Sequence, residues 1–151
     1  MFYMFRQNNS GGRFVVDPDA GISVIVIIEA ANHWEANERA ESIGLYFDPY
    51  YERDCECCGQ RWHEAWSDEG TDVPSYYSSP IGQATYTGSG WAGDAPEGFI
   101  HYLDGRQEAL WVGESLDGTG GFFSPRELRV TPWPYVEGQA AAADLPGLTR
   151  P

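Results

Sequence analysis

One segment constrains the fold more than any other part of this sequence. Ile22–Ala30 reads ISVIVIIEA, and its branched apolar residues stand at consecutive positions instead of alternating with polar ones. β-Branched residues favour extended strands, and a strand without a polar side is typical of a sheet interior that is covered on both faces. The segment therefore predicts a central strand with a neighbour on each edge and a packed layer on each face.

The next stretch, Asn32–Leu45, predicts a helix that supplies one of these layers. Asn32 is a suitable N-cap, Glu35 follows it as in a capping box, and Gly44 can end the helix. Helical spacing separates an apolar set of side chains from a charged set. We expect the helix to bury Trp34, Ala36, Ala40 and Ile43 and to expose Glu35, Glu38, Arg39 and Glu41.

Two pairs of short apolar runs predict β-hairpins. Phe2–Arg6 and Arg13–Val16 are joined by NNSGG, whose Asn and Gly residues tolerate the backbone of a tight turn. Phe99–Leu103 and Glu108–Val112 flank the Asp104-Gly105 dipeptide, which favours a hairpin turn.

The remaining segments complete the expected architecture. Leu45–Phe47 predicts a short return strand, and Ser124–Leu128 predicts a single helical turn because it begins with Ser-Pro. We expect an α+β fold with a small antiparallel or mixed sheet, one main helix at about 32–45, an irregular cysteine-containing loop and a C-terminal β-hairpin. A single domain is expected over residues 1–136, and residues 137–151 are expected to form a disordered tail.

The charge balance excludes some classes of partner. The formal net charge is −14, and all nine basic residues are scattered arginines. Binding a phosphate backbone or an anionic membrane requires clustered cations, so we expect neither direct nucleic-acid binding nor membrane binding. The longest apolar stretch, Val24–Ile28, has the length of a strand, and three closely spaced cysteines suit a reducing cytoplasm. We therefore expect a cytoplasmic protein.

The most specific motif is the cysteine turn, Cys55–Gly59. Cys55 and Cys58 form C-x-x-C-G, a pattern typical of zinc knuckles; Cys57 adds a third thiol, and His63 is close enough in sequence to be a fourth ligand. These residues predict a Zn²⁺ site. A second knuckle is missing and the cysteines at 57 and 58 are adjacent, so two or three thiols can serve. His33, His101 or Asp54 can complete the shell if the fold brings one of them near. Packed reduced thiols and a redox pair are the alternatives.

A separate set of aromatic and cationic residues indicates a small-molecule site. Tyr76, Tyr77 and Trp91 lie in a Ser/Gly-rich segment, and Arg53 and Arg61 flank the cysteine turn. Aromatic rings stack on nucleotide bases, and arginine pairs with phosphate. This combination predicts binding of a nucleotide-type ligand.

Four segments also carry a resemblance to a known group of proteins. MFYMFRQNNSGG, ANERAESIGLYFD, DCECCGQRW and FIHYLDGR, together with the later Asp68-Glu69-Gly70, resemble a family of small proteins of tailed bacteriophages that share a DCxCCG-x-RW cysteine turn. The resemblance covers roughly residues 1–109. It implies an accessory protein acting in the cytoplasm of a bacterial host, and it supplies no catalytic residues.

These observations favour a binding protein over an enzyme. The expected function is host modulation by sequestering a nucleotide-type immune signal or by blocking a defence protein, and a homodimer is a further expectation. A zinc-dependent enzyme built on the cysteine turn and a minor virion or assembly component are the alternatives.

Overall fold

The computed structural model of the chain describes residues 1–86, 92–114 and 121–130. Within these ranges it contains one α-helix, two 3-10 turns and strands in a mixed arrangement, which confirms the expected α+β fold. The elements are β1 (Phe2–Arg6), β2 (Ile25–Glu29), α1 (His33–Ile43), β3 (Ser75–Tyr76), β4 (Ser79–Pro80), β5 (Thr85–Tyr86), β6 (Gly98–His101), β7 (Arg106–Glu114) and β8 (Gly121–Val130).

The main sheet of the described chain has six strands in the order β1-β2-β6-β7-β8-β5. β2 runs antiparallel to β1 and parallel to β6, and the other neighbouring strands are antiparallel. β3 and β4 pair separately. The predicted central strand is confirmed, because β2 has a hydrogen-bonded neighbour on each edge.

Both faces of β2 are covered, as its sequence requires. Ile25 and Ile27 belong to one apolar cluster, which includes Ile81, Tyr86, Ile100 and Leu110. Val26 and Ile28 point to the opposite face, into a cluster that includes Ala36 and Ala40 of α1 and Trp62. Alternating side chains of one strand therefore join two cores, and the segment that carries the cysteine turn contributes to the α1 side.

Helix α1 has the predicted ends but a different buried face. The Asn32 side chain accepts a hydrogen bond from the Glu35 backbone N–H (2.9 Å), and Gly44 closes the helix. The predicted orientation of Trp34 and Arg39 is wrong: Trp34 is 69% exposed, whereas Arg39 is 4% exposed. The Arg39 guanidinium donates hydrogen bonds to the Glu29 and Tyr102 carbonyls, which explains how a charged side chain is buried on this face.

The predicted N-terminal hairpin is wrong because a side chain replaces the second strand. β1 pairs with β2, and residues 13–16 form no strand. Instead, the buried Gln7 amide donates a hydrogen bond to the Val15 carbonyl (2.9 Å) and accepts one from the Val15 N–H (2.6 Å). This exchange satisfies the same backbone groups that a ladder would.

The hairpin around Asp104-Gly105 is confirmed as β6–β7, and Gly105 has a φ of +91°. The helical turn predicted at Ser124–Leu128 is wrong, since these residues lie in β8. Leu45–Phe47 forms no strand.

The predicted domain boundary at residue 136 and the tail at 137–151 lie outside the described residues. Among the helices described, none is long and apolar enough to cross a membrane.

Candidate functional site

The cysteine turn is held in a frame built by two buried carboxylates. The Asp48 carboxylate accepts hydrogen bonds from the backbone N–H groups of residues 52–54, at 2.9, 2.7 and 2.7 Å. Burial acts to raise the pKa of Asp48, but these three donors outweigh it and the pKa is lowered. The Asp54 carboxylate accepts from the Tyr46 hydroxyl (2.7 Å) and from the Arg61 N–H (2.8 Å). The two carboxylates therefore hold residues 52–54 before the turn and Arg61 after it.

Further hydrogen bonds attach the turn to the N-terminal segment. The Cys55 N–H donates to the Ser10 hydroxyl (3.0 Å), and the Asn8 side chain donates to the Cys58 carbonyl (2.6 Å). Gly59 ends the turn with a φ of +88°, and a Cβ at this position would lie 3.0 Å from the Asn8 amide nitrogen. The turn is thus positioned by residues that are about 50 positions away in the sequence.

The three thiols of the turn point to one side. Their sulfur atoms all lie within 4.8 Å of one another. The Sγ atoms of Cys57 and Cys58 are 3.7 Å apart, so adjacency in sequence does not separate them. Two thiolates on one tetrahedral Zn²⁺ would be about 3.8 Å apart, given Zn–S bonds of about 2.3 Å. The arrangement can hold a metal ion.

The Cys55–Cys57 pair is closer than a shared metal requires. Their sulfur atoms lie 2.8 Å apart, so they would separate by about 1 Å on binding Zn²⁺. Hydrogen bonds from the Cys57 thiol and the Cys58 backbone N–H lower the pKa of Cys55 to about 7. The same contact with Cys55 raises the pKa of Cys57 to about 11. The Cys55 side chain is consequently present in large part as a thiolate near neutral pH.

His63 does not join the three thiols. It is exposed, and its Nδ1 lies 3.5 Å from the Gln60 side-chain nitrogen. In the part of the chain described, the group of potential metal ligands contains the three cysteines and no histidine or carboxylate. Coordination by His63 stays a prediction.

A cleft of about 580 Å³ opens beside the cysteine turn. Cys55 belongs to its wall as well as to the thiol cluster, and three arginines line it. We call this cleft the arginine cleft; its lining residues are Ser10, Gly11, Arg13, Val15, Gly44, Tyr46, Arg53, Asp54, Cys55 and Arg61. Three of the nine basic residues of a chain with a net charge of −14 therefore meet at one concave site.

Arg61 has a structural role within this cleft. It is 6% exposed, and its guanidinium donates four hydrogen bonds. The acceptors are the Tyr46 hydroxyl, the Gln7 side chain, and the Arg13 and Ser10 carbonyls. Arg61 contributes positive charge to the cleft, while four of its five N–H donors serve protein acceptors.

Arg53 is the more accessible cation. It is exposed, and its guanidinium carbon lies 3.7 Å from the centre of the Tyr46 ring. Burial raises the pKa of Tyr46, and the hydrogen bond that its hydroxyl donates to Asp54 raises it further, so the phenol stays neutral. A guanidinium that stacks on a ring keeps its N–H groups at the rim available for an oxyanion.

The predicted aromatic residues do not line this cleft. Tyr76 packs against the apolar core, with its ring 5.5 Å from that of Tyr86. Tyr77 is 62% exposed and adopts a φ of +55°. Trp91 lies outside the described residues. The structure thus brings Arg53 and Arg61 together and separates them from the tyrosines with which they were grouped.

Sequence reasoning missed Arg13, Tyr46 and Ser10 as residues of the site. Arg13 begins the predicted strand Arg13–Val16, which does not form. Arg61 and Arg13 are 48 positions apart, and the contact that joins them runs from a side chain to a backbone carbonyl. Such a contact leaves no periodic pattern, so no local signal in the sequence could have found it.

Comparison with protein families matches residues 1–119 to "Domain of unknown function (DUF7296)". The chain belongs to this family. The match includes the cysteine turn and every residue that lines the arginine cleft. Comparisons with curated proteins and with solved structures gave no match.

Proposed function

We propose that this protein is a non-enzymatic binding protein that captures a small anionic ligand of nucleotide type in the arginine cleft. The observation that carries the proposal is the concentration of Arg13, Arg53 and Arg61 around one cavity in a strongly acidic chain. Its volume of about 580 Å³ lies within the ordinary range for ligand pockets.

The chemistry of the cleft supports an anion with an attached planar or polar group. Arginine recognises phosphate and carboxylate through paired N–H donors, which lysine does not provide in that geometry. Tyr46 offers an aromatic ring in the same wall, although its face already carries Arg53. The lining residues supply three arginines together with hydroxyl groups that can donate hydrogen bonds. This concentration of cationic and polar groups supports anion binding as the role of the cleft.

The resemblance to bacteriophage proteins supports a role for such binding during infection of a bacterial host. In the cytoplasm of an infected bacterium, nucleotide-type immune signals are small anions of the class that the cleft would accept. Sequestering one of them is the role that we propose. Blocking a host defence protein and forming a homodimer stay predictions.

Binding to defined anions tests this proposal. Isothermal titration calorimetry with inorganic phosphate, AMP and a cyclic dinucleotide should give saturable binding that weakens as salt increases. Arg53→Gln should weaken binding about tenfold or more, the cost of about 1.4 kcal/mol expected for one lost charge-assisted contact.

Arg106→Gln is the matched control, because it removes the same charge from an exposed ion pair with Asp104 outside the cleft. The proposal fails if none of these anions binds to the wild type. It also fails if the two arginine variants bind equally well.

A second proposal concerns the cysteine turn, whose three convergent thiols favour a metal-binding role. We propose that the ion is Zn²⁺, because the 3.7 Å separation of the Cys57 and Cys58 sulfurs is near that of two thiolates on tetrahedral zinc. Thiolates also suit Cu(I), so the test must identify the element.

Elemental analysis of untagged protein purified without chelators provides that test. We expect one zinc ion per chain and thiols that react with a thiol reagent only after chelation. Cys57→Ser should lower the zinc content. Protein without metal and with freely reactive thiols would refute the assignment.

A further inference from the structure

The thiol cluster and the arginine cleft share Cys55, and this overlap has a consequence for the ligand. The Cys55 sulfur belongs to the group of three potential metal ligands, while the same residue lines the cleft wall. Ser10 connects the two features as well: its hydroxyl accepts from the Cys55 N–H and its carbonyl accepts from Arg61. A metal ion on the thiols would therefore lie at the edge of the anion cavity.

The described part of the chain brings three candidate ligands together, and a tetrahedral ion takes four. Across the described ranges, no histidine or carboxylate joins the three sulfur atoms. Structural zinc sites are closed by four protein ligands, whereas sites with three protein ligands leave a position for water or another exogenous group. Among the described residues, the turn presents the three protein ligands of a site with one position left for an exogenous group.

Charge explains why arginines would accompany such a site. Three thiolates with one divalent cation carry a net negative charge, and Asp54 adds another beside the cleft. This charge alone would repel an anion. Arg13, Arg53 and Arg61 line the same cleft, and their positive charges offset this repulsion.

We propose that the metal and the arginine cleft form one composite site, in which an oxygen of a phosphate-bearing ligand occupies the fourth position of the metal while Arg53 binds the remaining phosphate oxygens. This inference rests on both proposed functions. It names the ligand class more narrowly, since the ligand must present an exposed phosphate oxygen to the metal. It also makes anion binding dependent on the metal.

Cobalt-substituted protein reports directly on the fourth ligand, because the visible absorption of Co²⁺ changes with its coordination. We expect the protein to bind one Co²⁺ with thiolate-to-metal bands, and inorganic phosphate to shift the Co²⁺ bands saturably. AMP should do the same through its phosphate, and adenosine, which has no phosphate, should not.

Three variants separate the possible results. Arg53→Gln should retain one Co²⁺ and need at least about tenfold more phosphate for the same shift. Arg106→Gln should behave as the wild type. His63→Ala should keep the bands of the wild type if the fourth ligand is exogenous, and it should change them before phosphate is added if His63 is the ligand.

The results distinguish failure of the composite site from failure of the anion site or of the metal site. Phosphate-insensitive bands in a protein that binds Co²⁺ would overturn the composite site, as would altered bands in metal-loaded His63→Ala. Equal phosphate affinity for the zinc-loaded and metal-free protein would also overturn it, although the arginine cleft would stand as an anion site. Failure to bind Co²⁺ and Zn²⁺ would overturn both the composite site and the metal assignment.

Discussion

Replacing Arg61 by methionine tests whether this residue is mainly a structural clamp. Methionine keeps most of the apolar length of the side chain and removes the guanidinium. The variant loses four hydrogen bonds to acceptors on residues 7, 10, 13 and 46. With a net contribution of about 1 kcal/mol for each bond, the loss is about 4 kcal/mol. Because whole proteins are stable by about 5–15 kcal/mol, this is a large fraction of the total.

Chemical denaturation followed by far-UV circular dichroism measures this loss. We expect a midpoint shift that corresponds to about 4 kcal/mol with an unchanged slope, and a melting temperature lower by about 8–16 °C. Arg53→Met is the control from the same cleft, and the exposed contact of Arg53 with Tyr46 should make it cost no more than about 1 kcal/mol. If Arg61→Met lies within about 1 kcal/mol of the wild type, the clamp is refuted and a role in ligand binding is favoured.

Three further predictions follow from other contacts. Gly21→Ala should lower the free energy of unfolding by about 3 kcal/mol, because Gly21 has a φ of +72° and a Cβ there would lie 2.4 Å from the His101 ring. Gly12→Ala is the control in thermal melts, because Gly12 has a similar φ of +79° but open space around its Cβ position. Alkylation of metal-free Cys55, followed by mass spectrometry, should rise with a midpoint near pH 7, whereas a midpoint near the ordinary value of 9 would contradict the hydrogen-bonded thiolate. The pKa of Asp48 is lowered from 3.8 in the folded protein, so its contribution to stability is complete above pH 3.8 and is lost as the pH falls through the folded pKa. Asp48→Asn should lower the melting temperature at pH 7 and reduce the fall in melting temperature towards acid pH. An unchanged acid dependence would contradict the stabilising role of the Asp48 carboxylate.

The parts of the fold that were predicted correctly rest on local chemistry. β2 was recognisable because consecutive branched residues have few alternatives to a doubly buried strand. The ends of α1 follow from Asn32 and Gly44, and the β6–β7 hairpin follows from Asp104-Gly105. In each case the signal lies within a few residues of the structure that it specifies.

The errors occur where distant residues decide the outcome. Gln7 satisfies the backbone of residue 15, which removes the need for the expected second strand. Arg39 is buried on α1 because carbonyls of residues 29 and 102 accept its hydrogen bonds. Pro125 lies in β8 opposite Leu110 of β7 and beyond the two residues that pair with β5. The Leu110 carbonyl accepts from the Glu97 N–H on the other side of β7, so position 125 owes no N–H to β7 and proline is tolerated there.

The candidate site was likewise predictable only where its signal is local in the sequence. The cysteines at 55, 57 and 58 were found from their spacing, because a tight turn brings neighbouring thiols together whatever the rest of the fold does. The arginine cleft was only half predicted. Arg53 and Arg61 flank the turn, but Arg13 and Tyr46 reach the cavity through long-range packing. A ligand site made from three separate segments has no signature in any one of them.

The most direct measurement is a crystal structure of the protein grown with Zn²⁺ and phosphate, with anomalous diffraction collected at the zinc edge. We predict one anomalous peak about 2.3 Å from the sulfurs of Cys55, Cys57 and Cys58. We also predict a phosphate oxygen as the fourth ligand and further phosphate oxygens within hydrogen-bond distance of Arg53. A peak closed by a fourth protein ligand, or thiols without metal and an empty arginine cleft, would contradict this prediction.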